Sequence, residues 1–188
     1  MPRRKAHAPL DVLINGRLVG RLSKEASGST SFAYDQSWLD WEHAFAVSLS
    51  LPLRETPWTG APVTAVFENL LPDNLDIRRK VAERTGAPGT DAYSLLEEIG
   101  RDCVGAMQFL REDDDHDLPN RIEGEEVSEE EIERILAGLA RAPLGMDMDD
   151  EFRISVAGAQ EKTALLLKDG KWMRPSGTTP TTHLLKPQ

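Results

Sequence analysis

Phe152-Arg-Ile-Ser-Val-Ala-Gly-Ala-Gln-Glu-Lys-Thr-Ala-Leu-Leu-Leu167 decides how this chain is read. Phe152, Ile154 and Val156 alternate with Arg153 and Ser155, the period-two pattern of a strand. Ala157-Gly158-Ala159 then removes nearly all side-chain bulk, and Gln160-Glu161-Lys162 supplies a polar turn. Thr163 to Leu167 reads as a second, largely buried strand. Two readings of the loop stand. One is a hairpin with a tight small-residue turn. The other is an anion cradle: no Cβ at Gly158 blocks the approach of backbone N–H groups, and Lys162 sits where a cation can reach the same anion. The loop is not a Walker A motif, because Gly-x-x-x-x-Gly-Lys-Ser/Thr is absent. With one glycine and no following helix, it is not a dinucleotide fingerprint either.

Upstream of this stretch, Leu10 to Ile14 and Arg17 to Leu22 flank Asn15-Gly16, and a type I′ hairpin is expected there. A third strand is expected over Ser29 to Tyr34, after the turn at Ser27-Gly28. Trp38, Trp41 and Phe45 are expected to pack over the sheet edge; a base-stacking platform would need interleaved Lys or Arg. Ser48-Leu-Ser-Leu-Pro-Leu53 alternates and then meets Pro52, which points to a short or edge strand. Val63, Val66, Phe67, Leu70 and Leu71 mark one face of a helix that stops before Pro72. Asp73 can cap the next helix, which carries Ile77 and Val81 and ends at Gly86. Asp91 caps a third, with Ala92, Leu95, Leu96 and Ile99 on one face and Gly100 as its C′ residue. Val104 to Leu110 returns to strand.

Further on, Ser128-Glu-Glu-Glu131 is a capping box before a helix whose buried face is Ile132, Ile135, Leu136 and Leu139. Trp172 to Arg174 is expected to pair with Thr163 to Leu167 across Asp169-Gly170, and Thr182 to Lys186 forms the last strand. The fold class is therefore α+β. Its organisation is a β-rich first unit with a helical insert over 1–110, an acidic loop over 111–126, and a second small sheet within 127–188.

Composition narrows the function classes. The 188 residues carry a formal net charge of −10, which argues against a partner recognised through its phosphate backbone. Sixteen acidic and four basic side chains fall between 111 and 151, so the acidity is concentrated there. Within it, Arg111-Glu-Asp-Asp-Asp-His-Asp117 reads as a solvated loop and lacks the glycine and spacing of a calcium loop. One cysteine, Cys103, excludes an intramolecular disulfide and suits a reducing cytoplasm. No apolar run reaches the roughly eighteen residues of a membrane span. The basic start Met-Pro-Arg-Arg-Lys lacks the apolar segment of a signal peptide.

Ile154-Ser-Val-Ala-Gly-Ala-Gln-Glu-Lys-Thr-Ala-Leu165 closely resembles the nucleotide loop of the HipA family, serine/threonine-kinase toxins of bacterial toxin–antitoxin pairs. Further segments resemble the same family in the same order: Ser48 to Leu53, Phe67-Glu-Asn-Leu-Leu-Pro-Asp73, Ile99-Gly-Arg-Asp102 with Val104-Gly-Ala106, Pro143-Leu-Gly145, and Thr179-Pro-Thr-Thr-His183 with Lys186. The resemblance runs from about Asn15 to Lys186.

What the resemblance implies is an ATP site. Its cradle would be the backbone of Val156, Ala157, Gly158, Ala159, Gln160, Glu161 and Lys162. Lys186, on spacing alone a solvated strand-end lysine, would take the place of the strand lysine that neutralises the nucleotide's α- and β-phosphates. Ser155, locally a hydroxyl satisfied by nearby backbone, would be the autophosphorylated serine that switches the kinase off. The resemblance also implies magnesium, a HipB-like DNA-binding antitoxin partner, and an aminoacyl-tRNA synthetase (glutamyl) as substrate. Growth arrest and persistence in the cytoplasm would be the outcome. The family's catalytic aspartate lies in an Asp-Gly-His-x-x-Asn-type loop and a second aspartate holds magnesium; neither motif occurs here. The expectation is thus an N-terminal portion, inactive alone, that lacks a C-terminal kinase domain or works with a separate kinase subunit. The other reading is a non-catalytic, antitoxin-like module that binds and restrains a kinase partner. Such a module should end near residue 115, yet this chain continues through the loop.

Overall fold

Asn15-Gly16 sets the first turn. Asn15 at φ 51° and Gly16 at φ 73° both occupy the left-handed region that a type I′ turn requires. They fold β1 (Leu10–Ile14) onto β2 (Arg17–Lys24) as an antiparallel pair. The register shifts after Val12, which pairs with Gly20 while Leu13 pairs with Leu18, so Val19 is the extra residue of a bulge. β3 (Thr30–Tyr34), β4 (Trp58–Thr59) and β5 (Met107–Arg111) complete a five-stranded sheet in the order β4-β3-β2-β1-β5. The structure is a computed structural model and describes residues 7–102, 107–112, 114, 122–139, 162–175, 179 and 181–186.

Apolar side chains of the sheet meet three helices: α2 (Ala61–Glu68), α3 (Leu75–Thr85) and α4 (Ala92–Ile99). Leu10, Val12, Phe32, Phe67, Tyr93, Leu95 and Phe109 are buried together in this core. Phe67 bridges it, with ring centroids 5.5 Å from Phe32 and 5.6 Å from Phe109. Burying each such ring contributes about 1.5–3 kcal/mol. A four-residue helix, α1 (Gln36–Leu39), buries Trp38 beside β2.

Most helix ends follow their sequence signals. Asp91 accepts from the backbone N–H of Ser94 to cap α4, and Gly86 ends α3 in the left-handed region at φ 75°. Two ends differ from expectation. Asn74, not Asp73, caps α3, because its Oδ1 is the acceptor 2.8 Å from the Asp76 N–H. Gly100 is right-handed at φ −71°, and the chain runs on through a 3₁₀ turn over Gly100–Asp102 rather than stopping in a left-handed cap.

The largest departure is Ser48–Leu53, which forms turns and bends instead of a strand. Only Leu51 of its leucines is buried, while Leu49 is 99% exposed. Its backbone is held by aromatic side chains: the Tyr34 hydroxyl donates to the Leu51 carbonyl and accepts from the Val47 N–H, and the Trp58 indole donates to the Pro52 carbonyl. Upstream of this loop, Trp38 packs against Trp41 and Phe45 and donates to the Phe45 carbonyl, and Phe45 itself is half exposed.

A second antiparallel sheet has the order β6-β8-β7-β9, built from β6 (Gly124–Glu126), β7 (Thr163–Lys168), β8 (Lys171–Pro175) and β9 (His183–Leu185). Asp169 at φ 52° and Gly170 at φ 77° make the expected hairpin turn between β7 and β8. Gly124–Glu126, read from sequence as the end of an acidic loop, instead pairs with β8, and Glu126 meets Lys171 at 2.7 Å. Cross-strand pairing outweighs local charge there. Helix α5 (Glu129–Leu139) opens with the expected capping box, Ser128 N–H donating to Glu131 Oε2 and Glu131 N–H to Ser128 Oγ, and packs against β7. Mixed helix and antiparallel sheet make the fold α+β, as the sequence indicates. The first strand of the opening stretch, Phe152–Val156, lies outside the described residues.

Candidate functional site

The pairing of β7 with β9 brings two of the sequence-selected residues together. Thr163 pairs with Leu185, Ala164 with Leu184 and Leu165 with His183. Lys162 immediately precedes β7 and Lys186 immediately follows β9, so the antiparallel register puts both at one end of the ladder. They differ in setting. Lys162 is 5% exposed, whereas Lys186 stands in solvent. The register thus sets the two lysines opposite one another at the ladder end, and each makes a contact of its own there.

Hydroxyl contacts hold this ladder in register. The Thr182 N–H donates to the Leu165 carbonyl at 3.0 Å, and Thr182 Oγ1 accepts from the Leu167 N–H at 2.7 Å. His183 packs edge-on against Trp172 at 4.9 Å, which fixes β9 against the β7–β8 hairpin. Thr179 is almost fully buried and accepts from the Glu123 N–H at 2.7 Å, anchoring the chain before β9. The Thr179-to-His183 segment therefore positions Lys186, which explains in physical terms why threonines cluster there.

The remaining sequence-selected positions, Ser155, Val156, Ala157, Gly158, Ala159, Gln160 and Glu161, lie outside the described residues. Among the described residues no group of three or more His, Cys, Asp or Glu converges as a metal site. Asp114, from the acidic run, is used by the protein itself: it pairs with Arg101 and accepts from the Arg111 N–H at 2.8 Å. No described helix is long and apolar enough to cross a membrane.

Sequence reasoning missed a concave region on the first sheet. Between β2, β3, α2 and the start of α4 lies a cleft of about 270 Å³. At its edge Lys24 Nζ sits 2.8 Å from Asp91 Oδ1 and 3.3 Å from Ser94 Oγ. Burial pushes the Asp91 carboxyl up, but the hydrogen bonds from Lys24 and Ser94 outweigh it and leave the group below its ordinary value. Stability from that group is whole above the usual carboxylate range and is lost as pH falls below it. Lys24 and Asp91 are 67 positions apart, so no local pattern could have joined them.

Comparison with known proteins bears on both regions. Residues 10–110 match the family described as HipA N-terminal domain. A candidate kinase of Sinorhizobium fredii (strain NBRC 101917 / NGR234), Y4mE, is 36% identical over 182 residues, covering 95% of this chain and 43% of the relative. The serine/threonine-protein kinase toxin HipA of Shewanella oneidensis is 27% identical over 178 residues, covering 94% of this chain and 39% of the relative. A solved structure of the Shewanella oneidensis MR-1 HipA, HipB and operator DNA complex superposes with a TM-score of 0.65 at 25% identity, covering 93% of this chain and 39% of that one. The chain thus spans about two fifths of the length of these relatives.

Proposed function

The chain belongs to the HipA family through its N-terminal domain, and from that premise we propose that it is the N-terminal portion of a serine/threonine kinase toxin whose second sheet forms part of an ATP site. The observation that carries this reading is the meeting of Lys162 and Lys186 at one end of the β7–β9 ladder. An adenine nucleotide brings several phosphate charges, and two lysines, with the family's loop N–H groups, would neutralise them. Lys162 would hold a terminal phosphate beside the backbone of Val156 to Glu161, and Lys186 would hold the inner phosphates. In this reading Ser155 is the regulatory phosphorylation position, since a phosphate there would compete for the same donors.

Positioning ATP is this portion's share of the chemistry. Magnesium, when bound with ATP, would supply charge neutralisation; by the family resemblance its ligands and the residue that orients the acceptor hydroxyl would belong to a further kinase domain. No phosphate transfer is therefore expected from the 188-residue chain. By the same family reasoning we assign a HipB-like antitoxin as partner and an aminoacyl-tRNA synthetase as the class of protein substrate. The restraining-module reading is less well supported, because the likeness to the solved complex covers 93% of the chain and so extends past the 10–110 unit.

The test is titration of ATP into the chain, followed by amide chemical shifts. Saturable shifts at Thr163, Ala164, Leu184 and Leu185 are expected, with Lys162→Met and Lys186→Met each weakening binding about tenfold or more, the loss of one charge-assisted contact. Unchanged affinity in both variants, or shifts confined to the first sheet, would overturn the assignment.

A further inference from the structure

We propose that the Thr182 hydroxyl selects the register of β9 against β7 and is thereby the positioning residue that sets Lys186 opposite Lys162; its bearing on ATP rests on the reading given above. β9 needs such a device. It is an edge strand with β7 as its neighbour in the sheet, and three residue pairs make up their ladder. Its sequence, Thr181-Thr-His-Leu-Leu-Lys186, doubles both a threonine and a leucine. A slide of one residue would put Leu184 in the place of Leu185 opposite Thr163, and Thr181 in the place of Thr182. Apolar patterning therefore separates the two registers poorly, although a one-residue slip turns every side chain of the strand to the other face. In the slipped pairing Leu185 would stand opposite Lys162, and Lys186 would pass beyond it onto the opposite face.

Thr182 grips β7 at two points. Its N–H donates to the Leu165 carbonyl at 3.0 Å, and its Oγ1 accepts from the Leu167 N–H at 2.7 Å. One residue thus takes up the two backbone groups that bracket Leu166 on this edge of β7. A valine in its place would keep the first bond and lose the second. The same hydroxyl meets His183 Nδ1 at 2.8 Å, and the His183 ring packs edge-on against Trp172 of β8 with centroids 4.9 Å apart. After a slide Thr181 could offer its own hydroxyl to Leu167, but Thr182 would then occupy the place of His183 and the contact with Trp172 would be lost. That ring contact is why Thr182, rather than Thr181, holds the grip. Thr179 tethers the chain to Glu123 and bounds how far β9 can slide, but it takes no part in the β7–β9 pairing.

The experiment compares the 188-residue chain with Thr182→Val, Thr182→Ser, Lys186→Met and Thr182→Val/Lys186→Met. It reads cross-strand proton contacts by NMR and ATP affinity by titration. Valine keeps the shape and strand preference of threonine, so Thr182→Val tests the hydroxyl. Losing one hydrogen bond shifts a register equilibrium about two- to tenfold, and contacts between Thr163 and Leu184 should appear at the expense of those between Thr163 and Leu185. ATP affinity should fall about three- to tenfold in that variant, and Thr182→Ser should restore both readouts. In the Lys186→Met background, Thr182→Val should change the affinity by less than about twofold, because the lysine it displaces is already gone. A general loss of stability would instead weaken both backgrounds alike. An unshifted register in Thr182→Val, or an equal loss of affinity with and without Lys186, would overturn the proposal. Should the unaltered chain take up no ATP, the ATP reading fails, and the register contacts alone decide whether Thr182 sets β9.

Discussion

Glu68 is a polar residue whose removal should cost the first domain heavily. One carboxylate oxygen pairs with Arg78, and the other accepts from the Ala92 N–H at the start of α4. The Glu68 carbonyl also accepts from Arg78, whose Nε donates to the Pro72 carbonyl at 2.6 Å. A single side chain thus ties α2 to α3 and α4. In Glu68→Ala, Arg78 is left as a cation whose side chain is 9% exposed. Stranding one member of a buried pair costs about 3–5 kcal/mol, and an orphaned N–H adds about 1–3. Glu68 is 28% exposed, so water will relieve part of this. A loss of about 3 kcal/mol is expected, a large share of the roughly 5–15 kcal/mol that holds a domain together. In urea denaturation, with m near 2 kcal/mol/M, the midpoint should fall by about 1.5 M. The double variant Glu68→Ala/Arg78→Met removes the stranded charge and should recover a good part of the loss. A single-variant loss under about 1 kcal/mol, or a double variant less stable than Glu68→Ala, would refute the reasoning that a stranded cation sets the cost.

Gly20→Ala should destabilise by about 2–3 kcal/mol, or roughly 4–12 °C in Tm, because the new Cβ would sit 2.2 Å from the Ala33 carbonyl oxygen and β2 and β3 would have to part; an unchanged Tm by calorimetry would show that the bulge absorbs a methyl group. Burial, with Glu97 and Asp91 adding to it, pushes the Tyr93 phenol up to about 12 from its ordinary 10.0. The stability this group contributes is whole below pH 10.0 and is lost as pH climbs toward about 12. Tyr93→Phe should flatten that part of the stability–pH curve in urea melts, and an undiminished slope would assign the loss elsewhere.

Local chemistry was legible and long-range register was not. Asn15-Gly16 and Asp169-Gly170 announced their hairpins because a turn with two positive φ values admits few residue pairs. Ser128 and Glu131 announced α5 because both partners of the cap lie within one turn. Asp73 and Asn74 are both good caps, and choosing between them needs the direction in which the chain leaves Pro72. Ser48–Leu53 misled for a different reason. Its alternation is that of a strand, but its one buried leucine is held by Tyr34, a residue of β3. Lys162 was singled out by its place after the small-residue loop and Lys186 by family likeness, yet their placement at one ladder end depends on the β7–β9 register, which no local pattern encodes.

The two sets of family-like residues answer to different physical demands. Phe67 to Asp73 is accounted for by folding alone: Phe67 bridges two aromatic rings, Glu68 joins three helices, Leu71 is fully buried, and the Pro72 carbonyl receives Arg78. A protein with no chemistry to perform would still need them. Lys162 is different. A cation at 5% exposure in a four-stranded sheet carries a desolvation cost, and a buried charge with a partner is on balance weak evidence for stability. An apolar residue there would serve the sheet at least as well. In the proposed reading this lysine serves an anion at the end of the sheet, and Lys186, set opposite it by register, would share an anion with more than one charge. Phosphate groups of a nucleotide have that property, so the reading of the second sheet as an ATP-binding element rests on where these cations stand as well as on family likeness.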